Sequence, residues 1–321
     1  MMTYILVLVI LFLLEILYFR IADHFNIIDK PNERSSHTNI TLRGGGIIFY
    51  LGVLIYFVLS GFQYPWFFIG LTLMTVVSFM DDIYTLSNRI RLCIHFVSVV
   101  LMAAQLELFS MPWYFLLIMF IVVVGVINAY NFMDGINGIT VCYSLAVSTL
   151  LIMVNRDLNF VDNDLLIFTV LSLLVFAFFN FRTRAKCFAG DVGSVAIAFI
   201  LLFVIGLLIF KTQNFIYILF LVVYGIDTVW TILRRLYLKE NIFDAHRSHL
   251  YQFLGNEAGY DKLIISFSYG LIQLFIGILV IYLTNFNIAV QWIFAIAIIV
   301  ILSIAYLLLK RYIINKYLSL K

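Results

Sequence analysis

Two acidic residues stand at the end of a long apolar run, where charged groups are costly to bury. Asp81 and Asp82 follow Phe79 and Met80 at the end of that run. An ionisable pair in an apolar helix by default indicates ion or substrate handling, and a solvated helix terminus is the plainer alternative. Because carboxylates at the C-terminal end of a helix oppose its dipole, capping does not explain the pair. We therefore favour metal or proton handling at Asp81 and Asp82.

Amides and a further carboxylate recur later in the chain at a regular spacing. Asn128, Asn131 and Asp134 are three residues apart, so they line one face of a helix that continues that far. Gly135 then allows a tight bend of the backbone. Oxygen ligands that converge on one point suit Mg²⁺ and a polar ligand. A simple polar turn rarely needs this many amides, so we favour the ligand-binding interpretation.

A third acidic site, Asp191, lies between two glycines at the predicted start of a helix. By itself this pattern favours an N-cap, because a carboxylate there accepts hydrogen bonds from unpaired N–H groups. Basic residues precede it, at Arg182, Arg184 and Lys186. Considered together with Asp81, Asp82 and Asn131 on the same membrane face, Asp191 is instead predicted to be a ligand of a hard metal ion.

A long polar loop combines histidines with an arginine. His246, Arg247 and His249 form a compact set of donors for phosphate or sugar oxygens. A zinc site would need a third soft ligand, and none is near in the sequence. Asp227, inside the preceding apolar run, is either functional or a residue that joins helices, and the sequence does not decide between the two.

The glycines at positions 44–46 open another predicted helix. Their backbone N–H groups could approach an anion at the positive end of the helix dipole. Small residues equally allow close packing of helices in a membrane. The two interpretations carry equal weight.

The composition shows which elements must position these residues. The chain of 321 residues is 64% hydrophobic and only 12% charged, which excludes a soluble domain. A span needs roughly 20 apolar residues, and each span must be an α-helix because lipid cannot pair its backbone groups. We predict an all-α integral membrane protein, a single polytopic domain over residues 1–321. The predicted spans number about eleven and lie at 2–20, 44–61, 64–80, 92–108, 112–130, 139–154, 164–180, 193–210, 214–232, 262–283 and 288–309.

The basic residues orient this predicted topology. Of the 20 Lys and Arg residues, 18 fall in loops on one side, and only Arg156 and Lys211 fall on the other. By the positive-inside rule the basic side is cytoplasmic, so the N-terminus is outside and the C-terminus is cytoplasmic. The Asp, Asn and His motifs share the cytoplasmic side. The three cysteines are far apart and indicate neither a disulfide framework nor a zinc site.

These motifs, in this order and on these loops, resemble the polyprenyl-phosphate N-acetylhexosamine-1-phosphate transferases. The likeness extends from Asp29 to about Leu254 and rests on five separate motifs. It implies transfer of N-acetylhexosamine 1-phosphate from a UDP-sugar to undecaprenyl phosphate, with release of UMP, at the cytoplasmic face of a bacterial inner membrane. The cofactor implied is Mg²⁺, with Mn²⁺ as the alternative. The partners implied are the two substrates and the lipid bilayer, without nucleic acid, and a homodimer is one alternative for the oligomeric state.

The resemblance also implies roles for individual residues. Asp81, Asp82 and Asp191 match the family's catalytic aspartates, and Asp82, Asn131 and Asp191 match residues that hold the metal ion. The residues implied to bind substrate are Arg91, Asn128, Asp134, Asn137, His246, Arg247 and His249.

Two departures from the family pattern bear on the substrate. Asn137 stands where an acidic residue is frequent, which puts an essential charge there in doubt. The loop reads His246-Arg247-Ser248-His249 and not the His-x-His-His of the enterobacterial GlcNAc enzyme. This loop looks more like the branch that starts O-antigen or other surface-glycan units, so the sugar stays open between GlcNAc and a 6-deoxy-N-acetylhexosamine.

Other classes of membrane protein fit less well. A polytopic transporter is the main alternative, but it predicts inverted repeats and polar residues near the bilayer midplane on several helices. The sequence has no evident repeat, and its polar residues cluster at one side. A CDP-alcohol phosphotransferase needs an Asp-Gly-x-x-Ala-Arg motif, whereas Asp134-Gly135 is followed by Ile136-Asn137.

Overall fold

The structure, a computed structural model, describes residues 2–31, 36, 39–84, 86–241 and 247–318. His246, one of the predicted substrate-binding residues, lies outside the described residues. Long helices occur at each of the eleven predicted places. They are α1 (Met2–His24), α2 (Ile47–Leu59), α3 (Pro65–Tyr84), α4 (Asn88–Gln105), α5 (Trp113–Met133), α6 (Ile139–Leu158), α7 (Asn163–Asn180), α8 (Gly190–Thr212), α9 (Val222–Tyr237), α11 (Lys262–Leu283) and α12 (Ile288–Ile313).

Shorter elements complete the fold. A 3₁₀-helix at Phe215–Leu221 leads directly into α9, so the two form one continuous segment. The helix α10 (Leu250–Gln252) continues into a π-helical turn at Phe253–Glu257. Two strands, β1 (Ile28–Asp29) and β2 (Thr41–Leu42), form a small antiparallel pair, which the prediction of an all-α protein did not include. The remaining short elements are a 3₁₀-helix at Leu108–Ser110 and a π-helical turn at Ile314–Leu318.

Within the described residues, nine helical segments are long and apolar enough to cross a membrane. The two other long helices fall short for different reasons. The apolar helix α2 has only 13 residues. The first turn of α4 carries Asn88, Arg89 and Arg91, which lower its hydropathy. The protein is therefore an all-α integral membrane protein, while the count of eleven spans stays a prediction.

The helix α8 forms the centre of the bundle. It is apolar on every face, and 83% of its most apolar 18-residue stretch is buried inside the protein, against 11% for that of the last helix. A helix that is hydrophobic all round belongs inside the protein and not on its rim. It packs against α2, α3, α5 and α6. The first turn of α8, which carries Asp191, is thereby placed among the ends of several other helices.

Loops that alternate along the sequence gather at opposite ends of the bundle. At one end, which we call the charged end, Asn137 donates to the carbonyl oxygen of Arg182 at 2.8 Å, and Asn256 bonds Ser36 at 3.0 Å. At the other end, Tyr4 donates to Asp164 at 2.7 Å. The structure thus separates the basic loops from the short loops, as the alternation of spans predicts. The cytoplasmic location of the charged end stays a prediction.

Candidate active site at the charged end

Asp82 ties the end of α3 to the beginning of α8. Its side chain is fully buried, and its Oδ1 and Oδ2 each accept a backbone N–H, from Asp191 and Val192 respectively, both at 3.0 Å. The first N–H groups of a helix have no partner inside the helix, and the helix dipole favours a negative charge there. An acid that is unfavourable at the end of its own helix α3 is therefore favourable at the start of α8. This contact brings Asp82 and Asp191 together.

Gly190 makes this approach possible. Its φ of +72° is in the left-handed region, and a Cβ atom there would lie 2.6 Å from Oδ2 of Asp82. A larger residue would therefore push the Asp82 carboxylate away from the first turn of α8.

Arg43 lies between the two carboxylates. Its Nε is 2.7 Å from Oδ1 of Asp82, and its Nη2 is 3.3 Å from Oδ1 of Asp191. Burial alone would lower the pKa of Arg43, but the two carboxylates raise it above its ordinary value, so the guanidinium stays charged. Arg43 was not among the predicted site residues, although it precedes three glycines on a loop that is predicted to be cytoplasmic. About a third of its side chain is exposed, so it can reach an anionic ligand.

Arg91 connects Asp81 to the same cluster. Its Nη1 is 2.9 Å from Oδ2 of Asp81, and its Nη2 is 3.9 Å from Oδ2 of Asp191. Asp81 also accepts the backbone N–H of Leu86, which fixes the turn between α3 and α4. Carboxylates from α3 and α8, Arg43 from the loop before α2 and Arg91 from the first turn of α4 therefore converge, as the sequence predicts for Asp81, Asp82, Asp191 and Arg91. Their roles in chemistry stay predictions.

Asn131 lies on α5, beside Asp191 of α8. Because α5 continues to Met133, it carries both Asn128 and Asn131. The Nδ2 of Asn131 is buried and faces the Asp191 carboxylate, but it makes no hydrogen bond of normal geometry among the described residues. A buried amide without a partner is uncommon and indicates a ligand or water that completes the site. Its side-chain oxygen and the Asp191 carboxylate are hard donors of the kind that Mg²⁺ prefers.

Whether these residues can hold Mg²⁺ depends on the number of protein ligands that the ion needs. In the described part of the chain, no group of three or more His, Cys, Asp and Glu side chains is arranged to hold a metal ion. Such a cluster is typical of sites made by protein alone. Mg²⁺ is commonly held by one or two carboxylates together with substrate phosphates and water. The pair of Asp191 and Asn131 fits that pattern, whereas both oxygens of Asp82 already accept backbone N–H groups.

The other residues of the amide motif have structural partners. Asp134 accepts from the hydroxyl of Thr140 at 2.6 Å, and burial raises the pKa of its carboxyl from 3.8 to about 6. Asn137 donates to the carbonyl oxygens of Arg182 and Thr183, so it joins two loops of the charged end. Asn128 donates to the carbonyl oxygen of Val124 in its own helix. The charge of Asp191 also raises the pKa of Asp134 and that of Arg43 lowers it, so Asp134 lies within electrostatic range of the acidic cluster.

The glycines at 44–46 serve helix packing. Gly45 and Gly46 donate their N–H groups to the carbonyl oxygens of Phe188 and Ala189, at 2.9 and 3.1 Å. A Cβ atom on Gly193 would lie 2.5 Å from Cα of Gly46. The N–H groups of Gly45 and Gly46 are therefore not free for an anion. Close packing is the interpretation that the geometry supports.

The polar loop before α10 contributes Arg247 and His249. Arg247 is exposed and pairs with Glu257 at 3.0 Å. His249 is buried, and its Nδ1 is 3.2 Å from Oδ1 of Asp227. The burial of His249 separates it from the exposed arginines of the site. Its predicted contact with substrate stays a prediction.

Comparison with known proteins shows the family of this chain. The model of the family described as glycosyl transferase family 4 matches residues 64–226, just over half of the chain. The chain belongs to glycosyl transferase family 4. The matched region contains the acids and amides of the site from Asp81 to Asp191, while Arg43 and the Arg247 loop lie outside it.

Curated relatives within this family are sugar-phosphate transferases by name. A probable undecaprenyl-phosphate N-acetylglucosaminyl 1-phosphate transferase of Bacillus subtilis (strain 168) is 27% identical over 73% of this chain and 71% of its own length. An undecaprenyl-phosphate alpha-N-acetylglucosaminyl 1-phosphate transferase of Thermotoga maritima is 28% identical over 77% of this chain and 80% of its own length. The Yersinia pestis enzyme of that name is 30% identical, and the match covers 56% of this chain and 55% of its length.

Proposed function

We propose that this protein transfers N-acetylhexosamine 1-phosphate from a UDP-sugar to undecaprenyl phosphate and releases UMP. The observation that carries the proposal is the convergence of Asp191, Asn131, Arg43 and Arg91 from four separate segments at one end of an apolar bundle. Hard oxygen ligands beside two arginines suit a diphosphate and a phosphate that must approach each other. The names of the relatives support the same pair of substrates.

The membrane location follows from the nature of the substrates. One is a long isoprenoid confined to lipid, and the other is a soluble nucleotide sugar. A site at the charged end of the bundle is accessible to both. We place it at the cytoplasmic face, because 18 of the 20 basic residues are predicted to share that side. The product would begin a lipid-linked surface glycan.

The chain's own residues would act mainly by neutralising and aligning charge. Arg43 and Arg91 are partly exposed and each pairs with two carboxylates, so both guanidiniums are held in fixed positions. Guanidiniums fixed in this way can donate to phosphate oxygens as charge develops on them. Asp81, which pairs with Arg91, would accept the proton of the lipid phosphate. This assistance is modest, because a phosphate whose second pKa is near 6 is already mostly deprotonated at neutral pH.

Asp191 and Asn131 would hold Mg²⁺, with Mn²⁺ as the alternative. The bound ion would offset the negative charge of the two phosphate groups. Asp82 keeps the first turn of α8 in place, and so keeps Asp191 pointed at the site. Direct attack of the lipid phosphate oxygen on the β-phosphorus of the UDP-sugar would form one P–O bond and break another, with UMP as the leaving group. The proposal requires no covalent enzyme intermediate.

The test is transfer of radiolabelled sugar phosphate by purified protein supplied with undecaprenyl phosphate and a panel of UDP-sugars, UDP-GlcNAc first. We expect UMP release that depends on the lipid phosphate, that stops with EDTA, and that falls at least ~100-fold in Asp191→Asn. Asp157→Asn, an exposed acid at the opposite end, is the matched control. Full activity of Asp191→Asn, or activity undiminished by EDTA, would contradict the metal site. UMP release without any lipid acceptor would contradict the transferase proposal.

A further inference from the structure

A group of buried polar side chains joins α9, α11 and α12 beneath the loop that carries Arg247. We call it the α9–α12 polar network. Its members are Asp227, Thr231, His249, Tyr269, Tyr306 and Lys310. Each of them is less than a tenth exposed. Polar and charged groups in a membrane bundle are costly to bury and are retained for function or for joining helices.

Asp227 accepts hydrogen bonds from both sides of the network. Its Oδ1 accepts the backbone N–H of Leu250 at 3.0 Å and lies 3.2 Å from Nδ1 of His249. Its Oδ2 accepts the hydroxyl of Tyr269 at 2.7 Å. The contact with Leu250 satisfies an N–H in the first turn of α10, for which the helix itself provides no acceptor.

Lys310 holds the same stretch of backbone from the opposite side. Its Nζ donates to the carbonyl oxygen of Ser248 at 2.6 Å and also contacts the hydroxyls of Tyr306 and Thr231. The residue lies near the end of α12, a helix most of whose residues are exposed.

These contacts differ from those of residues that only join helices. Asp227 and Lys310 do not pair with each other. Each binds the backbone of the segment from Ser248 to Leu250, which follows Arg247 directly. Asp227 and Lys310 also join helices, through Tyr269 and Thr231 respectively, so the bonds to this backbone segment are what a role in joining helices alone would not require.

The held segment is also attached to the end of α5. Tyr251 donates to the carbonyl oxygen of Phe132 at 2.9 Å. Its ring atom Cζ lies 3.0 Å from where a Cβ of Gly135 would stand. The network therefore connects the Arg247 loop to the turn that carries Asp134.

We propose that Asp227 and Lys310 are positioning residues that fix the backbone at Ser248–Leu250, so that Arg247 is presented to the diphosphate of the nucleotide sugar. Arg247 contacts Glu257 in the structure, and the diphosphate would compete with that carboxylate for the guanidinium. The role at the diphosphate rests on the proposed function. The hold on the backbone does not depend on it.

The first measurement is hydrogen exchange of the full-length protein in detergent, followed in peptides that span residues 248–253. Lys310→Met keeps the aliphatic stem and removes the ammonium, and Lys310→Arg is the conservative variant. We expect about tenfold faster exchange in Lys310→Met, because the variant loses one hydrogen bond to a charged group. Arg311→Met, an exposed neighbour on the same helix, is the matched control. Unchanged exchange in Lys310→Met would overturn the hold on the backbone.

The second measurement separates positioning from a general loss of structure. In Lys310→Met and Asp227→Asn we expect the KM for the UDP-sugar to rise about tenfold, with the KM for undecaprenyl phosphate unchanged. Lys310→Arg should restore the donor KM. The positioning role would be overturned if kcat and both KM values changed by a similar factor, or if the donor KM of both variants equalled that of the unaltered protein. If the unaltered protein transfers no sugar phosphate, the proposed function fails, and the exchange experiment still decides the hold on the backbone.

Discussion

The substitution Asp82→Asn tests whether the Asp82 carboxylate holds the start of α8. Both oxygens accept backbone N–H groups of α8, and Oδ1 also faces Nε of Arg43 at 2.7 Å. An asparagine offers one oxygen and one NH₂ group, so in either orientation a donor faces a donor. The change removes one charge-assisted hydrogen bond and leaves one buried N–H unpaired, each worth about 1–3 kcal/mol. Relief from burying a charge beside Asp191 offsets part of this loss, so we expect a net loss of no more than ~2 kcal/mol.

The matched comparison is Asp81→Asn. Asp81 accepts one backbone N–H, from Leu86, and its partner Arg91 is partly exposed. An asparagine can keep the bond to Leu86 while water solvates Arg91, so the expected loss is below ~1 kcal/mol. Both variants should lose transfer activity, for different reasons.

The assay is equilibrium unfolding in mixed micelles, followed by the signal of the four tryptophans. Asp82→Asn should unfold at a clearly lower fraction of the denaturing detergent than Asp81→Asn. If the two variants unfold together, or if Asp82→Asn matches the unaltered protein, the carboxylate does not hold α8 and the reasoning is refuted.

Two further predictions concern packing and charge at the same end. Gly193→Ala places a Cβ 2.5 Å from Cα of Gly46. Because this forces α2 and α8 apart, the variant should lose ~1–3 kcal/mol of unfolding free energy. Gly125→Ala is the control: nothing described lies within 4 Å of its Cβ, so it should be neutral in the same unfolding assay. For Asp134, the folded-state pKa of about 6 exceeds its ordinary value of 3.8, so the folded protein loses stability as pH rises through that window. In metal-free buffer Asp134→Asn should therefore raise the unfolding free energy by ~2 kcal/mol at pH 7.5, with no gain at pH 4, and equal gains at both pH values would contradict the shifted pKa.

The sequence predicted the helices and the membership of the acidic cluster for physical reasons that act locally. Apolar runs about as long as a bilayer is thick can only be helices in lipid, so the predicted span at 262–283 agrees with the observed helix to the residue. The alternation of charged and uncharged loops placed Asp81, Asp82, Asn131 and Asp191 at one end before any contact was known.

The partners within the cluster depend on geometry that no local pattern encodes. The spacing of Asp81 and Asp82 does not reveal that one accepts from α8 and the other pairs with Arg91. Arg43 and Lys310 are single basic residues among many, and only the packing of distant helices shows that each contacts a particular acid or carbonyl. The sequence left the role of Asp227 open for the same reason.

The arrangement of Asp82 accounts for a conflict in the sequence pattern. A carboxylate at the C-terminal end of α3 is unfavourable for that helix and costly to bury in an apolar bundle. The same carboxylate is favourable once α8 begins beside it, because it then meets two unpaired N–H groups and the positive end of a second dipole. The unfavourable position is thus tolerated only when α3 and α8 are assembled. Of the two adjacent acids, Asp81 pairs with Arg91, beside which we propose that it acts in the chemistry, and Asp82 supports Asp191. A sequence pattern that treats the two as one pair cannot distinguish these positions.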